Sequence, residues 1–134
     1  MFNWNRKRFK EIDAYGDSWA IAQGAIDGKP IFVRFRQGLK DAVGIPKYPF
    51  QIGIAVPLQH PTEQGLTTHA EGEQLQKIED DLQTALCTSD SAVFALAITH
   101  NGMREFVFYA NEWTPEVFEK KVKAINAVPH VLSS

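Results

Sequence analysis

The chain has 134 residues, 44% of them hydrophobic and 22% charged, with a formal net charge of −2. That length suits a single core, and the near-neutral balance argues against a nucleic-acid binder that works by wholesale phosphate neutralisation. A lone cysteine, Cys87, excludes an internal disulfide and favours a reducing, cytoplasmic setting, while the lack of any apolar run of about 18 residues excludes a membrane-spanning helix.

The N-terminal "MFNWNRKRFKEI" is basic but has no apolar segment behind it, so it is not a signal peptide. Phe2, Trp4 and Phe9 interleaved with Arg6, Lys7, Arg8 and Lys10 suit either a charged arm or an extension that lays a few aromatics on the body. The small charge excess, followed by Glu11 and Asp13, favours the second. Residues 1–14 are therefore set apart as an extension, and 15–134 as one α+β domain that needs neither a membrane nor a nucleic acid.

Trp19 to Arg36 reads as a first hairpin, with Asp27-Gly28 supplying the positive φ angles of a two-residue primed turn. Such a loop fixes the register: Trp19 lies opposite Arg36, Ile21 opposite Arg34 and Gln23 opposite Phe32, which puts two arginines on one face with a tryptophan. Residues 37–49 are loop by their glycine, proline and charge content. "FQIGIAVP" alternates bulky and small residues as a strand does, and Pro57 ends it. Thr68 and Glu71 form a capping box that starts a helix, with Leu75, Ile78, Leu82 and Leu86 at helical spacing.

"SAVFALAITHNGMREFVFYA" is a second hairpin on an Asn101-Gly102 turn. Counting from the turn pairs Thr99 with Arg104, Ile98 with Glu105, Ala97 with Phe106 and Ala95 with Phe108. Phe94, Leu96, Ile98, Glu105, Val107 and Tyr109 then share one face, and both faces are apolar enough to need covering: helices on one side, the first hairpin or loops on the other. Arg104 and Glu105 fall on opposite faces close to the turn, where charged side chains reach water. Thr114 and Pro115 open a second helix that Pro129 closes, and "HVLSS" forms a short last strand. From Phe50 onward the order is the ferredoxin-like βαββαβ plan, a mainly antiparallel sheet with two helices, here preceded by an extra N-terminal hairpin.

The chemistry-bearing residues are sparse. His60, His69, His100 and His130 lack metal-ligand spacing, and His69-x-Glu71-x-Glu73 coincides with the capping box; neither a metal nor a cofactor is expected. Cys87 ends an apolar helix face, and no nucleophile elbow or phosphate-cradling loop is present. Glu79, Asp80 and Asp81 point about 100° apart on the helix and cannot share a pocket, although Glu79, next to Ile78, is placed to turn toward the sheet. Seven acids against one lysine between His60 and Asp90 make an acidic surface.

"YGDSWAIAQGAIDGKPIFVRF", "IGIAVPL", "LQKIEDDL" and "THNGMREFVFY" together resemble the domain of unknown function 695 family of bacterial proteins, over roughly residues 15 to 128. Carried over position by position, its motifs fall on Trp19, Arg34, Glu79, Thr99, Asn101, Gly102, Arg104, Glu105 and Tyr109. The resemblance implies no established activity. Some relatives join this domain to one resembling the B-type protein regulators of ribonuclease E, which implies a regulatory or interaction role by association.

Two functional readings stand. The favoured one is a non-enzymatic binding or regulatory module that meets a partner protein, or a second copy of itself, through a sheet edge or the acidic helix. The other is a site for an anionic small molecule, catalytic or not, built from Trp19, Arg34, Glu79, Thr99, Arg104, Glu105 and Tyr109.

Overall fold

The computed structural model describes residues 19–36, 48–87, 91–112 and 114–123, together with the backbone of 131–133. The N-terminal extension, most of the 37–49 loop and the end of the second helix lie outside the described residues.

Eight elements follow in order: β1 (Trp19–Ile26), β2 (Lys29–Arg36), β3 (Phe50–Pro57), α1 (His69–Leu86), β4 (Ala92–His100), β5 (Met103–Ala110), α2 (Pro115–Lys123) and β6 (Val131–Ser133). All six strands join one sheet in the order β1-β2-β4-β5-β3-β6, every pairing antiparallel. The last four positions are the ferredoxin-like arrangement, and the extra hairpin extends it at the β4 side. The first hairpin was expected to cover a face; it instead pairs in plane, with Ile31 to Phe35 laddered against Leu96 to His100. Its β-rich strands find unpaired backbone at β4, and an edge pairing satisfies those groups more completely than stacking does.

Both turns have the expected geometry. Asp27 and Gly28 have φ of 52° and 78°, and Asn101 and Gly102 have φ of 50° and 81°. The register of the first hairpin matches the count from its turn. In the second the count holds as far as Leu96 opposite Val107, then slips: Phe94, not Ala95, lies opposite Phe108. This β-bulge moves Phe94 to the face of Ala97, Phe106 and Phe108, and leaves Ala95 with Leu96 and Ile98 on the other.

Each face therefore has its own core. Under the helices, Leu75, Leu82 and Leu86 of α1 and Phe118 and Val122 of α2 pack on Ile52, Ile54, Phe94, Phe106 and Phe108. On the opposite face, Ile31, Val33, Leu96, Ile98, Val107 and Tyr109 pack with the buried Tyr48.

The start of α1 is built differently from the expected capping box. The Thr68 hydroxyl accepts from the Glu71 N–H, as a cap should. The Glu71 carboxylate does not return to the cap; it is buried and accepts from the backbone N–H groups of Gln59 and His60, at 2.5 and 2.9 Å. Those two amides follow Pro57 and leave the sheet with no ladder partner, so a carboxylate serves them better than it would a cap already satisfied. The same loop receives the tip of the second hairpin: Leu58 N–H donates to the Gly102 carbonyl, and Gly102 N–H to that of Gly65. Gly65 has φ of 81°, and a Cβ there would meet Asn101 Cα and Gly102 N at 2.8 Å. Only glycine fits.

Candidate functional site

Alternation along the strands, corrected by the bulge, places Trp19, Arg34, Arg36, Thr99 and Arg104 on the helix-covered face. α1 crosses that face and presents Glu79, one turn beyond Leu75, between its apolar contacts. Five of the seven expected site residues thus come together: Trp19, Arg34, Glu79, Thr99 and Arg104. Glu105 and Tyr109 lie on the opposite face, where Gln51 Nε2 donates to the Tyr109 hydroxyl at 3.2 Å. The period of two in a strand separates them from the others, and no side-chain rotation crosses a sheet.

Glu79 is the centre of the group. Its side chain is only 4% exposed, against 31% for Arg34, with which it forms an ion pair and a hydrogen bond through Oε1. Gln76, three residues earlier on α1, donates to Oε2 at 3.1 Å. Burial pushes the carboxyl above its ordinary value, and the Arg34 charge, the Gln76 bond and the Arg104 charge pull it part of the way back. Each oxygen thus has one partner, Arg34 on Oε1 and Gln76 on Oε2. Glu79 stands as the buried counter-ion of Arg34, with the Arg104 charge also acting on it.

Arg104 is held by two hydroxyls. Its Nε donates to Thr99 Oγ1 at 2.6 Å, and a terminal nitrogen to Thr67 Oγ1 at 3.2 Å. Burial foremost, and the charge of Arg34 after it, lower its pKa, though a guanidinium remains charged in a protein. Its closeness to the turn does not send it to solvent, because loop 58–68 folds over that end of the sheet.

Nearer the edge, the guanidiniums of Arg34 and Arg36 lie 4.8 and 5.0 Å from the same Trp19 ring. The indole in turn rests on Phe94, 5.4 Å between centroids, and Phe94 on Phe108 at 5.0 Å. Arg36 Nε also donates to the Phe94 carbonyl at 3.2 Å, where the bulge interrupts the ladder. The result is a shelf of one indole and two cationic forks on the rim of α1. Chemically it can bind a carboxylate or phosphate, since planar forks match such anions.

Four contributors were not among the expected site residues: Arg36, Phe94, Gln76 and Thr67. Arg36 shares a face with Arg34 by simple alternation, and Gln76 stands at i−3 to Glu79, a spacing that brings helical side chains together. Phe94 was misplaced by the bulge, and nothing in the spacing marks Thr67.

Cys87 caps the end of α1. Burial pushes its thiol up to about 11, against the smaller opposing effects of the Arg36 charge and a backbone hydrogen bond at Phe94. It is a neutral, poorly nucleophilic thiol. The acidic surface is smaller than the composition suggests, since Glu71 and Glu79 both turn inward. Among the described residues no three His, Cys, Asp or Glu side chains come together to hold a metal ion, and no helix is long and apolar enough to cross a membrane.

No curated protein and no solved structure matches the chain. A family model does, over residues 17–133, which takes in Trp19, both hairpins and every residue of the shelf. The chain belongs to that family, DUF695, a family of unknown function.

Proposed function

We propose that this domain is a non-enzymatic binding module that takes an extended segment of a partner protein onto the outer edge of β1. The observation that carries the reading is the character of that strand. Among the described residues β1 stands first in the sheet order, has eight residues without a charge or a proline, and is exposed along most of its length, Ile21 to 68%. Edge strands of this length are ordinarily protected by lysine, proline or a bulge, and one left bare is a template for another strand. The Trp19–Arg34–Arg36 shelf lies along the same edge, so an acidic side chain of the incoming strand would meet two guanidiniums. Such a module regulates by occupancy. The neutral Cys87 thiol suits a reducing, cytoplasmic compartment.

The test is fluorescence polarisation with extended, β-prone peptides that carry one Glu or, in a matched series, one Gln. The Glu series binds more tightly to the wild type. Arg36→Gln removes that preference, and Ile21→Lys weakens both series by placing a charge on the edge. If no peptide binds, and the Ile21→Lys variant behaves as the wild type throughout, the reading fails.

A second reading rests on the shelf alone: two guanidiniums against one indole suit a free anionic metabolite. A thermal-shift response to such compounds that disappears in Arg36→Gln but survives Ile21→Lys separates it from the first.

A further inference from the structure

The face away from the helices has a cavity that the reading above does not use. It lies where the turn ends of both hairpins meet, has a volume of about 390 Å³, and is walled by Ile26, Ile31, Ile98 and Met103, with His100, Asn101 and Glu105 as its polar residues. That volume is within the range of small-molecule sites, roughly 300–1,000 Å³. Of the large hydrophobic side chains that stay exposed among the described residues, Ile26 and Met103 both belong to this wall.

Its polar groups are placed unusually. His100 Nε2 is buried and has no hydrogen-bond partner. Glu105 stands on a strand between Ile98 on one side and Ala55 on the other, with no polar residue directly across from it on either strand. Burial raises its carboxyl above the ordinary value. By strand pairing, His100 is the diagonal neighbour of Glu105 on the same face. Lys29 is not itself a lining residue, but its Nζ donates at 2.9 Å to Oδ1 of Asn101, which is one, so the amide oxygen on the rim already has its donor and Glu105 is the carboxylate left for a ligand. A carboxylate over an apolar wall offers acceptors and negative charge together, which suits a positively charged donor and disfavours an anion.

We propose that this cavity binds a small primary amine with a short apolar arm: the ammonium donates to the Glu105 carboxylate, and the arm lies against Ile26, Ile31, Ile98 and Met103. The site is distinct from the Trp19–Arg34–Arg36 shelf, which faces the other side of the sheet and takes the opposite charge.

Isothermal titration of the full chain with benzylamine, benzyl alcohol and phenylacetate tests this. Benzylamine binds, benzyl alcohol binds at least about tenfold more weakly, and phenylacetate does not bind. Glu105→Gln removes the advantage of the amine over the alcohol. Because Glu105 is half-buried and its replacement could perturb the strand, Ile26→Trp serves as a second variant: it fills the cavity from an exposed position and abolishes amine binding while the melting temperature holds. Equal affinity for amine and alcohol, an amine affinity unchanged by Glu105→Gln, or no binding by the wild type overturns the proposal.

Discussion

The two hairpins close through the same kind of turn, yet one is the centre of the sheet and the other its margin. Asp27-Gly28 and Asn101-Gly102 have nearly the same pair of positive φ angles. β4 and β5, however, are buried over most of their length, while β1 is exposed and β2 only partly covered. The turn sets register within each pair and says nothing about depth. Depth follows from what the strands carry: β4 and β5 bring Phe94, Phe106 and Phe108 beneath two helices, whereas five of the eight residues of β1, Ala20, Ala22, Gln23, Gly24 and Ala25, are small or polar and only Trp19 packs on the core. Small and polar side chains gain little by leaving water, so the first hairpin settles at the rim.

Truncating each hairpin should expose this difference. Phe106→Ala, at 0% exposure in the centre, is expected to cost about 3–5 kcal/mol in urea unfolding. Between the hairpins, Arg34→Ala strands the buried Glu79 carboxylate and is expected to cost about 3 kcal/mol; the double variant with Glu79→Leu recovers most of it. A double-mutant cycle without that recovery would mean that the ion pair does not bind the margin to α1. Gly65→Ala attacks the loop whose backbone is hydrogen-bonded to the turn of the second hairpin, and its left-handed strain and backbone clash should cost of the order of 1–3 kcal/mol.

A smaller effect concerns pH. Glu79 and Glu105, one on each face, have folded pKa values raised above the ordinary 4.5. A raised carboxyl holds its proton longer in the folded state, so its contribution is present in full below the unfolded pKa. It is lost as pH rises through the folded value. Stability should therefore slope downward from about pH 4.5 into the range above, and Glu105→Gln should flatten part of that slope; an unchanged slope would place Glu105 in water. Least of all, Ile21→Lys on the margin should shift stability by no more than about 0.5 kcal/mol, measured as a melting temperature.

These residues also mark how far the sequence could be read. The two turns were legible because Asp-Gly and Asn-Gly have few alternatives to a primed turn, and the registers followed by counting. Arg34, Arg36 and Trp19 sharing a face was likewise a matter of parity. The inward turn of Glu79 was legible as a tendency, from its place beside the apolar stripe of α1. The fate of Glu71 was not. A capping box fits its position equally well, and what drew its carboxylate away was a pair of orphan amides twelve and eleven residues earlier. Nor could spacing show that Arg104 would be roofed by Thr67, because a loop's path over a sheet has no period.

The bulge at Ala95 has a consequence for insertions and deletions. It works as a parity switch: one extra residue places Phe94 beneath Trp19 while leaving Leu96 and Ile98 on the far side. Substitution at Ala95 leaves the count intact. Deletion of Ala95 removes the bulge itself: Phe94 then adjoins Leu96 in a regular ladder and stays opposite Phe108, and what is lost is the interruption at which its carbonyl accepts from Arg36. The extra residue thus serves the shelf through the backbone carbonyl it frees for Arg36, while the Phe94 ring keeps its place under Trp19.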